Sequence, residues 1–291
     1  MRVLVTGAGG QLGRDCVLAC EAVGDDVFGF DHASLDVGDR DSVMGAITSL
    51  RPDAVLHCAA WTAVDDCESD PDRAYGANAL AVRWVAQACD SAGAHLVNIS
   101  TDYVFDGVKA TPYREWDTPN PQSVYGASKL AGEREALALG AHATVVRTSW
   151  LCGEYGNNMV KTIMRLANER SELAFVDDQV GHPSLCADLA PMIRRLALDR
   201  RAGVHHVTNQ GPVSWYGFAQ AVVGAMGKPP SMVRPIATAD LKPPRPAERP
   251  ANSVLDNAVL RLGGVELLPD FRESVATLVA KLSASTGSAP V

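Results

Sequence analysis

The feature that most constrains the fold is an alternation of short apolar runs and helical patterns over residues 1–152. The apolar runs are continuous, as in strands that are buried on both faces of a sheet: RVLV, DVFGF, DAVLHC, HLVNI and ATVVRTS. Because a helical pattern follows each of the first four runs, consecutive strands should lie parallel. The sequence therefore predicts an α/β fold, a doubly wound parallel sheet with helices on both faces.

After residue 152 this alternation loosens. Helical patterns predominate, two short strand-like runs (LAFV and GVHHV) interrupt them, and LKPPRPAERP should form an extended loop. We expect a first domain over 1–152, to which some later segments return, and a smaller C-terminal α/β domain over 153–282. The tail, 283–291, has the sequence SASTGSAPV and too few apolar residues to bury, so we expect it to be disordered.

Charge and cysteine content narrow the class of protein. The net charge is −8 and no Lys/Arg cluster is visible, so we expect neither a nucleic acid nor a membrane surface as partner. Residue 1 leads directly into a strand, and no apolar run approaches ~20 residues. The odd number of cysteines, with no CxxC pair, is typical of reduced thiols in a cytoplasmic protein: Cys16, Cys20, Cys58, Cys67, Cys89, Cys152 and Cys186.

A glycine-rich turn separates the first strand from the first helix. Such a turn allows close approach of a pyrophosphate to the backbone, and its glycines are Gly7, Gly9, Gly10 and Gly13. Asp31 ends the second strand, where an acidic residue would meet an adenosine ribose. The simpler interpretation is a tight turn with a solvated aspartate, but the combination favours a Rossmann-type dinucleotide site. Asp31 favours NADH, while Arg14 leaves NADPH open.

Tyr125 and Lys129 are four residues apart within the helical pattern VYGASKLAGE, so their side chains should share one helix face. An ammonium and a cofactor ribose hydroxyl beside the phenol would lower its pKa and let Tyr125 donate a proton. An isolated pair of this kind is more often a core tyrosine and a solvated lysine.

Several motifs occur together, in order, along nearly the whole chain: GAGGQLG, CAAWTAVDDCES, STDYVFDG, VYGASKLAGE, VRTSWL, GNNM, DDQVGHPS and ERPANSVLD. With them, the chain resembles the extended short-chain dehydrogenase/reductase superfamily, and within it the dTDP-4-dehydrorhamnose reductases. This resemblance implies NAD(P)H-dependent reduction of the 4-keto group of dTDP-4-dehydro-6-deoxy-L-mannose to give dTDP-L-rhamnose. It also implies that the C-terminal domain binds the substrate.

The resemblance assigns roles to individual residues. Thr101 and Tyr125 would bind the 4-keto oxygen, with Tyr125 as proton donor, and Lys129 would bind the nicotinamide ribose and lower the pKa of the tyrosine. The implied cofactor contacts are Gly7, Gly10, Gln11, Leu12, Gly13, Asp31, Asp36, Val37, Ala59, Ala60, Trp61, Thr62, Tyr125 and Lys129. The implied substrate contacts are Thr101, Asp102, Tyr103, Trp150, Asn158 and Arg249, the last at the nucleotide diphosphate.

The resemblance also implies a homodimer and a magnesium ion held by acidic residues. Asp15 matches one ligand position, but Ala187 and Asp188 disturb the later acidic pair, so we predict no metal site. His205 and His206 are expected to be strand residues without a metal.

Three alternatives remain open. One is an epimerase or 4,6-dehydratase, in which a glutamate would stand at the position of Tyr103, and the absence of that base argues against elimination. A second is a reductase of another 4-keto-6-deoxy sugar nucleotide. The third is a non-catalytic subunit that resembles the regulatory beta subunit of methionine adenosyltransferase, against which the set Thr101, Tyr125 and Lys129 argues.

Overall fold

The computed structural model describes residues 1–286. Strands are numbered in chain order. They are β1 (Arg2–Thr6), β2 (Asp26–Phe30), β3 (Ala54–His57), β4 (His95–Thr101), β5 (Ala143–Thr148), β6 (Leu151–Cys152), β7 (Leu173–Val176), β8 (Val180–Gly181), β9 (Ser184–Leu185), β10 (Gly203–His206), β11 (Val213–Ser214) and β12 (Val233–Ile236).

The α-helices are numbered in the same way. They are α1 (Gln11–Glu21), α2 (Arg40–Leu50), α3 (Val64–Ser69), α4 (Pro71–Tyr75), α5 (Ala81–Ala92), α6 (Val124–Leu137), α7 (Met159–Glu169), α8 (Cys186–Leu198), α9 (Trp215–Ala225), α10 (Ala258–Leu262) and α11 (Phe271–Thr286). A π-helical turn, Gly76–Leu80, joins α4 to α5. Within residues 1–286, no helix is both long and apolar enough to cross a membrane.

The central sheet has the strand order β10-β5-β4-β3-β1-β2, and its paired strands are all parallel. Helices α1 and α8 cover one face, packed on side chains such as Val5 and Leu56. Helices α2, α5 and α6 cover the other face, on side chains such as Leu4 and Val55. Because both faces are buried, the strands need continuous apolar sequences. The predicted Rossmann-type parallel sheet is confirmed.

The order of the strands reverses between β1 and β3, which lie side by side although β2 separates them in sequence. Ligands of open α/β sheets bind at such a switch point, outside the carboxyl ends of the strands. Residues at this edge are polar although the strand interiors are apolar: Thr6 ends β1, Thr101 ends β4 and Thr148 ends β5.

The second unit is built from helices and short strand pairs. Strands β7 and β12 pair in parallel, β8 and β11 pair antiparallel, and β6 and β9 pair in parallel. A separate apolar core joins α7, α9 and α11, with Ile163, Phe218 and Phe271 at its centre. This core is distinct from those of the central sheet, as expected for a second structural unit.

Two later elements return to the central sheet. Strand β10 pairs with β5, and α8 packs against α1. His205 and His206 lie in β10, as predicted.

The predicted disorder of 283–291 is wrong at its beginning, because α11 continues to Thr286. Leu278, Val279 and Leu282 pack on the second core, and this anchors the last turns of the helix. The rest of the predicted tail, 287–291, lies outside the described residues.

Candidate active site

The glycine turn brings the backbone of α1 close to β1. Gly7 has a φ of 67°, and a Cβ built on Gly13 would lie 2.1 Å from the carbonyl oxygen of Gly7. A larger residue at position 13 would therefore separate the helix from the turn. Gly10 is the N-cap of α1, and no side chain in the described residues caps the helix there. The first backbone N–H groups of α1, those of Gln11 and Leu12, can therefore bind an anion.

Asp31 lies directly beside this turn. A Cβ built on Gly9 would lie 3.3 Å from the Cβ of Asp31. Oδ1 of Asp31 accepts hydrogen bonds from the backbone of Ala33 and from the backbone and hydroxyl of Ser34, which lowers the pKa of the carboxyl. Oδ1 is thus committed to the protein. The second oxygen, Oδ2, is the one suited to a ribose hydroxyl.

Asp36 and Val37 lie further along the same loop. Asp36 accepts a hydrogen bond from the backbone N–H of Gly38 (2.9 Å), as a turn residue does. Val37 is half-buried against the core beneath α2. The structure thus gives both residues a local role, and the predicted contact with adenine stays a prediction.

The segment after β3 is held by a buried amide. Asn78 accepts from the backbone N–H of Trp61 (2.9 Å) and donates to the backbone carbonyl of Trp61 and to the hydroxyl of Ser128. The backbone of Ala59 lies under Gly7, within 3 Å of a Cβ built there. Ala60 and Thr62 are exposed on either side of Trp61. All four residues predicted to flank the cofactor therefore continue from the glycine turn along the sheet edge.

The stretch STDYVFDG forms a tight turn at the end of β4. The hydroxyl of Thr101 donates to Oδ1 of Asp102 (2.9 Å) and accepts from the backbone N–H of Tyr103 (3.2 Å). A short 3₁₀ helix, Asp102–Val104, follows. Helix α6 meets this turn at Gly126, where a Cβ would lie 2.2 Å from the carbonyl oxygen of Tyr103. A glycine is required there for α6 to approach the turn.

Tyr125 is brought to the same turn by that close approach. Its ring meets the ring of Tyr103 edge-on, with centroids 5.5 Å apart, and the nearby hydroxyl of Thr101 acts on its phenol. Only 8% of Tyr125 is exposed, and burial raises the pKa of its hydroxyl. The phenol is therefore protonated near neutral pH, which is the form a proton donor needs.

Lys129 lies one helical turn after Tyr125 and is 4% exposed. Its Nζ donates to the backbone carbonyl of Ile99 (2.7 Å). Burial lowers the pKa of Lys129 to about 8, against the opposing effect of the Glu133 carboxylate. The predicted lowering of the tyrosine pKa requires a bound cofactor ribose as well as Lys129, and it stays a prediction. The charge of Lys129 is directed at β4, and burial dominates at the phenol.

Behind Lys129, α6 and β5 are joined by a buried ion pair. The guanidinium of Arg147 donates two hydrogen bonds to the carboxylate of Glu133, at 2.8 and 2.7 Å. The hydroxyl of Ser100 also donates to Glu133 (2.5 Å). Two charges removed from water need this degree of pairing. The pair fixes the helix that carries both Tyr125 and Lys129.

Asp102 is the carboxylate nearest the predicted proton donor, and it is only 2% exposed. Burial raises its pKa to about 6, and hydrogen bonding from Thr101 and the nearby hydroxyl of Ser253 oppose this. Ser253 does not reach hydrogen-bond geometry with Oδ2, which has no partner among residues 1–286. A buried acceptor without a donor is costly, so Oδ2 is suited to a substrate hydroxyl.

The remaining predicted substrate residues lie around this centre, each with a partner of its own. Trp150 stacks on Trp215. Asn158 caps α7 and donates to the side chain of Gln11 (3.0 Å). Arg249 forms a two-pronged ion pair with Asp65, at 2.6 and 2.8 Å, and its positive charge acts on Tyr103.

The acidic residues implied for magnesium do not form a suitable ligand set. Asp15 and Asp188 line one cavity of about 340 Å³ together with Glu154 and Lys281. Lys281 is ion-paired with Glu154 (2.5 Å), and Asp188 accepts from Asn209 (2.6 Å). Within residues 1–286, no three ligating side chains are close enough to hold a metal ion. No step of the chemistry below uses a metal.

Comparison with known proteins decides the family. Residues 1–284 match the family model described as the RmlD substrate binding domain. A dTDP-4-dehydrorhamnose reductase of Streptomyces griseus is 40% identical over 292 residues, which is 98% of this chain and 95% of that one. The chain belongs to this family.

A solved structure in the family shares the fold of this chain. The dTDP-4-dehydrorhamnose reductase of Bacillus anthracis, crystallised with NADP, superposes with a TM-score of 0.92 at 40% identity, covering 96% of this chain and 99% of that one. Another family relative, from Streptomyces antibioticus, is 40% identical over 279 residues, 94% of this chain and 93% of its own, and is named a probable dTDP-4,6-dihydroxy-2-methyloxan-3-one 4-ketoreductase.

Four contributors to the site of this family member were missed from its sequence: Asn78, Glu133, Ser253 and Asp65. Glu133 lies four residues after Lys129, so helical spacing could have identified it. Asp65 lies inside the quoted motif CAAWTAVDDCES. Ser253 lies inside the quoted motif ERPANSVLD. Asn78 is brought in by long-range packing and carries no local signal.

Proposed function

We propose that the protein is an NAD(P)H-dependent oxidoreductase that reduces the 4-keto group of dTDP-4-dehydro-6-deoxy-L-mannose and forms dTDP-L-rhamnose. The observation that carries the proposal is the contact of Thr101, Tyr125 and Asp102 at the carboxyl end of β4. A hydroxyl, a protonated phenol and an unpaired carboxylate oxygen converge there, beside the glycine turn of a dinucleotide site.

The residues present fit a dinucleotide. The free N–H groups of α1 would hold the pyrophosphate, Gly7 and Gly13 leave room for its close approach, and Asp31 would offer Oδ2 to the adenosine ribose. When bound, the dihydronicotinamide supplies the hydride. Lys129 would hold the nicotinamide ribose, at the end of the sheet where its side chain already lies.

The protein's own groups would handle the carbonyl oxygen. Thr101 and Tyr125 would hold that oxygen between two hydroxyls, and Tyr125 would transfer its proton to the developing alkoxide. Asp102 would accept a sugar hydroxyl at Oδ2 and so align the ring. Tyr103 stands where an eliminating enzyme would need a carboxylate base, and burial raises the pKa of its phenol to about 12. This favours reduction over dehydration.

The test is an assay of the purified protein with the 4-keto-L-rhamnose nucleotide and with other 4-keto-6-deoxy sugar nucleotides, each with NADH and with NADPH. We expect cofactor oxidation at 340 nm with the rhamnose precursor. Oxidation with a different keto sugar alone would favour the second candidate, the activity suggested by the name of the Streptomyces antibioticus relative. Absence of turnover with all of them would contradict the proposal, and binding to a partner protein would then favour a regulatory subunit.

Three further predictions belong to this proposal. The unit around the central sheet would bind the cofactor, and the unit around α7, α9 and α11 would bind the nucleotide sugar. A homodimer is expected from the family resemblance, and light scattering of the purified protein would test it. The expectation of a cytoplasmic protein stays a prediction.

A further inference from the structure

Trp150 adopts a backbone conformation that is rare for a residue with a side chain. Its φ is 46°, in the left-handed region. It lies two residues beyond Thr148, which pairs with Thr101 in the sheet, so this backbone is at the rim of the site. A conformation of this kind costs free energy and persists only where its surroundings hold it.

The surface that holds Trp150 is the indole of Trp215. The two rings lie 3.6 Å apart between centroids and within 9° of parallel. Trp215 is the first residue of α9, directly after the N-cap Ser214, so its backbone is fixed. Phe218, one turn later, contacts both indoles, with centroid distances of 5.9 and 6.4 Å. The stack is therefore rooted in the second core.

The strand pair β8–β11 links this stack of indoles to Asp102. Gly181 of β8 pairs with Val213 of β11, two residues before Trp215. A Cβ built on Gly181 would lie 2.7 Å from Cε2 of Trp150 and 2.8 Å from the hydroxyl of Ser253. Ser253 in turn acts on the buried carboxyl of Asp102. Trp150 thus lies between Trp215 and the segment that supports Asp102.

We propose that Trp215 is a positioning residue that fixes the indole of Trp150 against the sugar ring of the substrate. This inference rests on the proposed function. The flat apolar indole suits the C–H face of a deoxyhexose, whose hydroxyls Asp102 would bind. Trp215 would act through Trp150, the ring on which it stacks.

Removal of the Trp215 ring is the test. Trp215→Ala should abolish the exciton couplet that stacked indoles give in the circular dichroism spectrum. It should raise the KM for the sugar nucleotide about tenfold, which is the largest effect expected from the loss of one aromatic contact. The KM for NADPH should stay unchanged. Trp215→Phe keeps a smaller aromatic ring beside Trp150. It should raise the same KM only about two- to threefold, because the stacking contact is weakened and not lost. The matched control is Trp116→Ala, since Trp116 is 58% exposed and should alter neither readout.

Two results would overturn the inference: an unchanged KM for the sugar nucleotide once the couplet is lost, or an equal rise in both KM values. Where Trp215→Ala does not fold, the same criteria apply to Trp215→Phe. If the parent protein turns over no keto sugar nucleotide, the proposed function fails. Calorimetric binding of dTDP-L-rhamnose then decides about Trp215, and equal affinity of parent and variant, or no binding by either, contradicts its role.

Discussion

The hydroxyl of Tyr125 is the single group on which the proposed reaction depends most. Its burial keeps it protonated against the opposing effect of the nearby Thr101 hydroxyl, and its ring packs edge-on against Tyr103 at the sheet edge. Loss of that hydroxyl removes the proton donor and leaves the packing of the ring intact.

Tyr125→Phe should therefore lower kcat by about 10²- to 10⁴-fold, the usual contribution of a positioned acid. The Kd for NADPH should stay near the parent value, and stopped-flow absorbance at 340 nm measures the rate. Tyr75→Phe is the control, because it removes the same hydroxyl from a tyrosine that is 43% exposed and has no role in the proposed site. Parent-like activity of Tyr125→Phe would contradict the assignment.

The buried carboxyl of Asp102 should make the stability of the protein depend on pH. Its pKa is raised to about 6, so the folded protein binds its proton more tightly than the unfolded chain does. Ionisation of this buried carboxyl lowers the free energy of unfolding. That loss is absent below about pH 4, develops between about pH 4 and 6, and is complete above that range.

Asp102→Asn should thus be more stable than the parent at pH 7 by on the order of 2 kcal/mol, although its activity falls. The difference should shrink as the pH falls from 6 to 4. Urea unfolding of both proteins at several pH values measures it. A difference independent of pH would show that the carboxyl titrates normally.

Sequence reasoning worked well for single residues when they lay within one motif. Tyr125 and Lys129 share a helix face and both meet the end of β4, as their spacing predicts. It did not foresee the direction in which burial shifts the tyrosine pKa. Burial, which decided that direction, depends on Gly126 and the turn after β4, which come together only in the folded chain.

At the scale of elements, helix α6 contributes to two ion pairs, one buried and one at the surface, whose stabilities can be compared. Glu133 pairs with Arg147 inside the protein, and Glu135, two residues later, pairs with Arg83 at the surface. Both pairs are two-pronged, so they differ mainly in burial.

Glu133→Gln should destabilise the protein by about 3–5 kcal/mol, because it leaves the charge of Arg147 buried without a partner. Glu135→Gln should cost less than about 1 kcal/mol, since water screens the exposed pair. Chemical unfolding monitored by circular dichroism gives both values. Equal effects would mean that burial does not determine the strength of these pairs.

Many of the longer elements were predictable, but the 16-residue α11 and the four-residue β12 were missed. The five first strands of the central sheet and helix α6 are found where continuous apolar runs and helical spacing indicate them. Strands β6, β8, β9 and β11 were missed, because two residues carry no periodicity. The pairing of β10 with β5 was not predictable either, since 54 residues separate Thr148 from Gly203 and nothing local specifies that partner.

At the scale of the whole molecule, Asn158 connects the two units. Its side-chain oxygen caps α7 by accepting from the backbone of Lys161, while its side-chain nitrogen donates to Gln11 beside the glycine turn. One residue thus caps the N-terminus of α7 in the second unit and contacts the first residue of α1 in the first unit.

Asn158→Ser keeps a capping oxygen and removes the donor to Gln11. We expect nearly parental stability, and about a fivefold smaller effect of NADPH on the affinity for dTDP-L-rhamnose, a size typical of coupling between sites. Asn158→Ala removes the cap as well and should cost about 1 kcal/mol of stability. Calorimetric titrations with and without NADPH provide the comparison, and equal coupling in parent and Asn158→Ser would contradict this role.

The contact between Gln11 and Asn158 also has a consequence for how tightly each ligand is held in the presence of the other. A coupling free energy belongs to both ligands equally, so the factor by which the cofactor tightens the sugar nucleotide is the factor by which the sugar nucleotide tightens the cofactor. On the proposed function, accumulated dTDP-L-rhamnose would tighten the binding of the reduced cofactor, and depletion of dTDP-L-rhamnose would release that cofactor to the other reductases that compete for it.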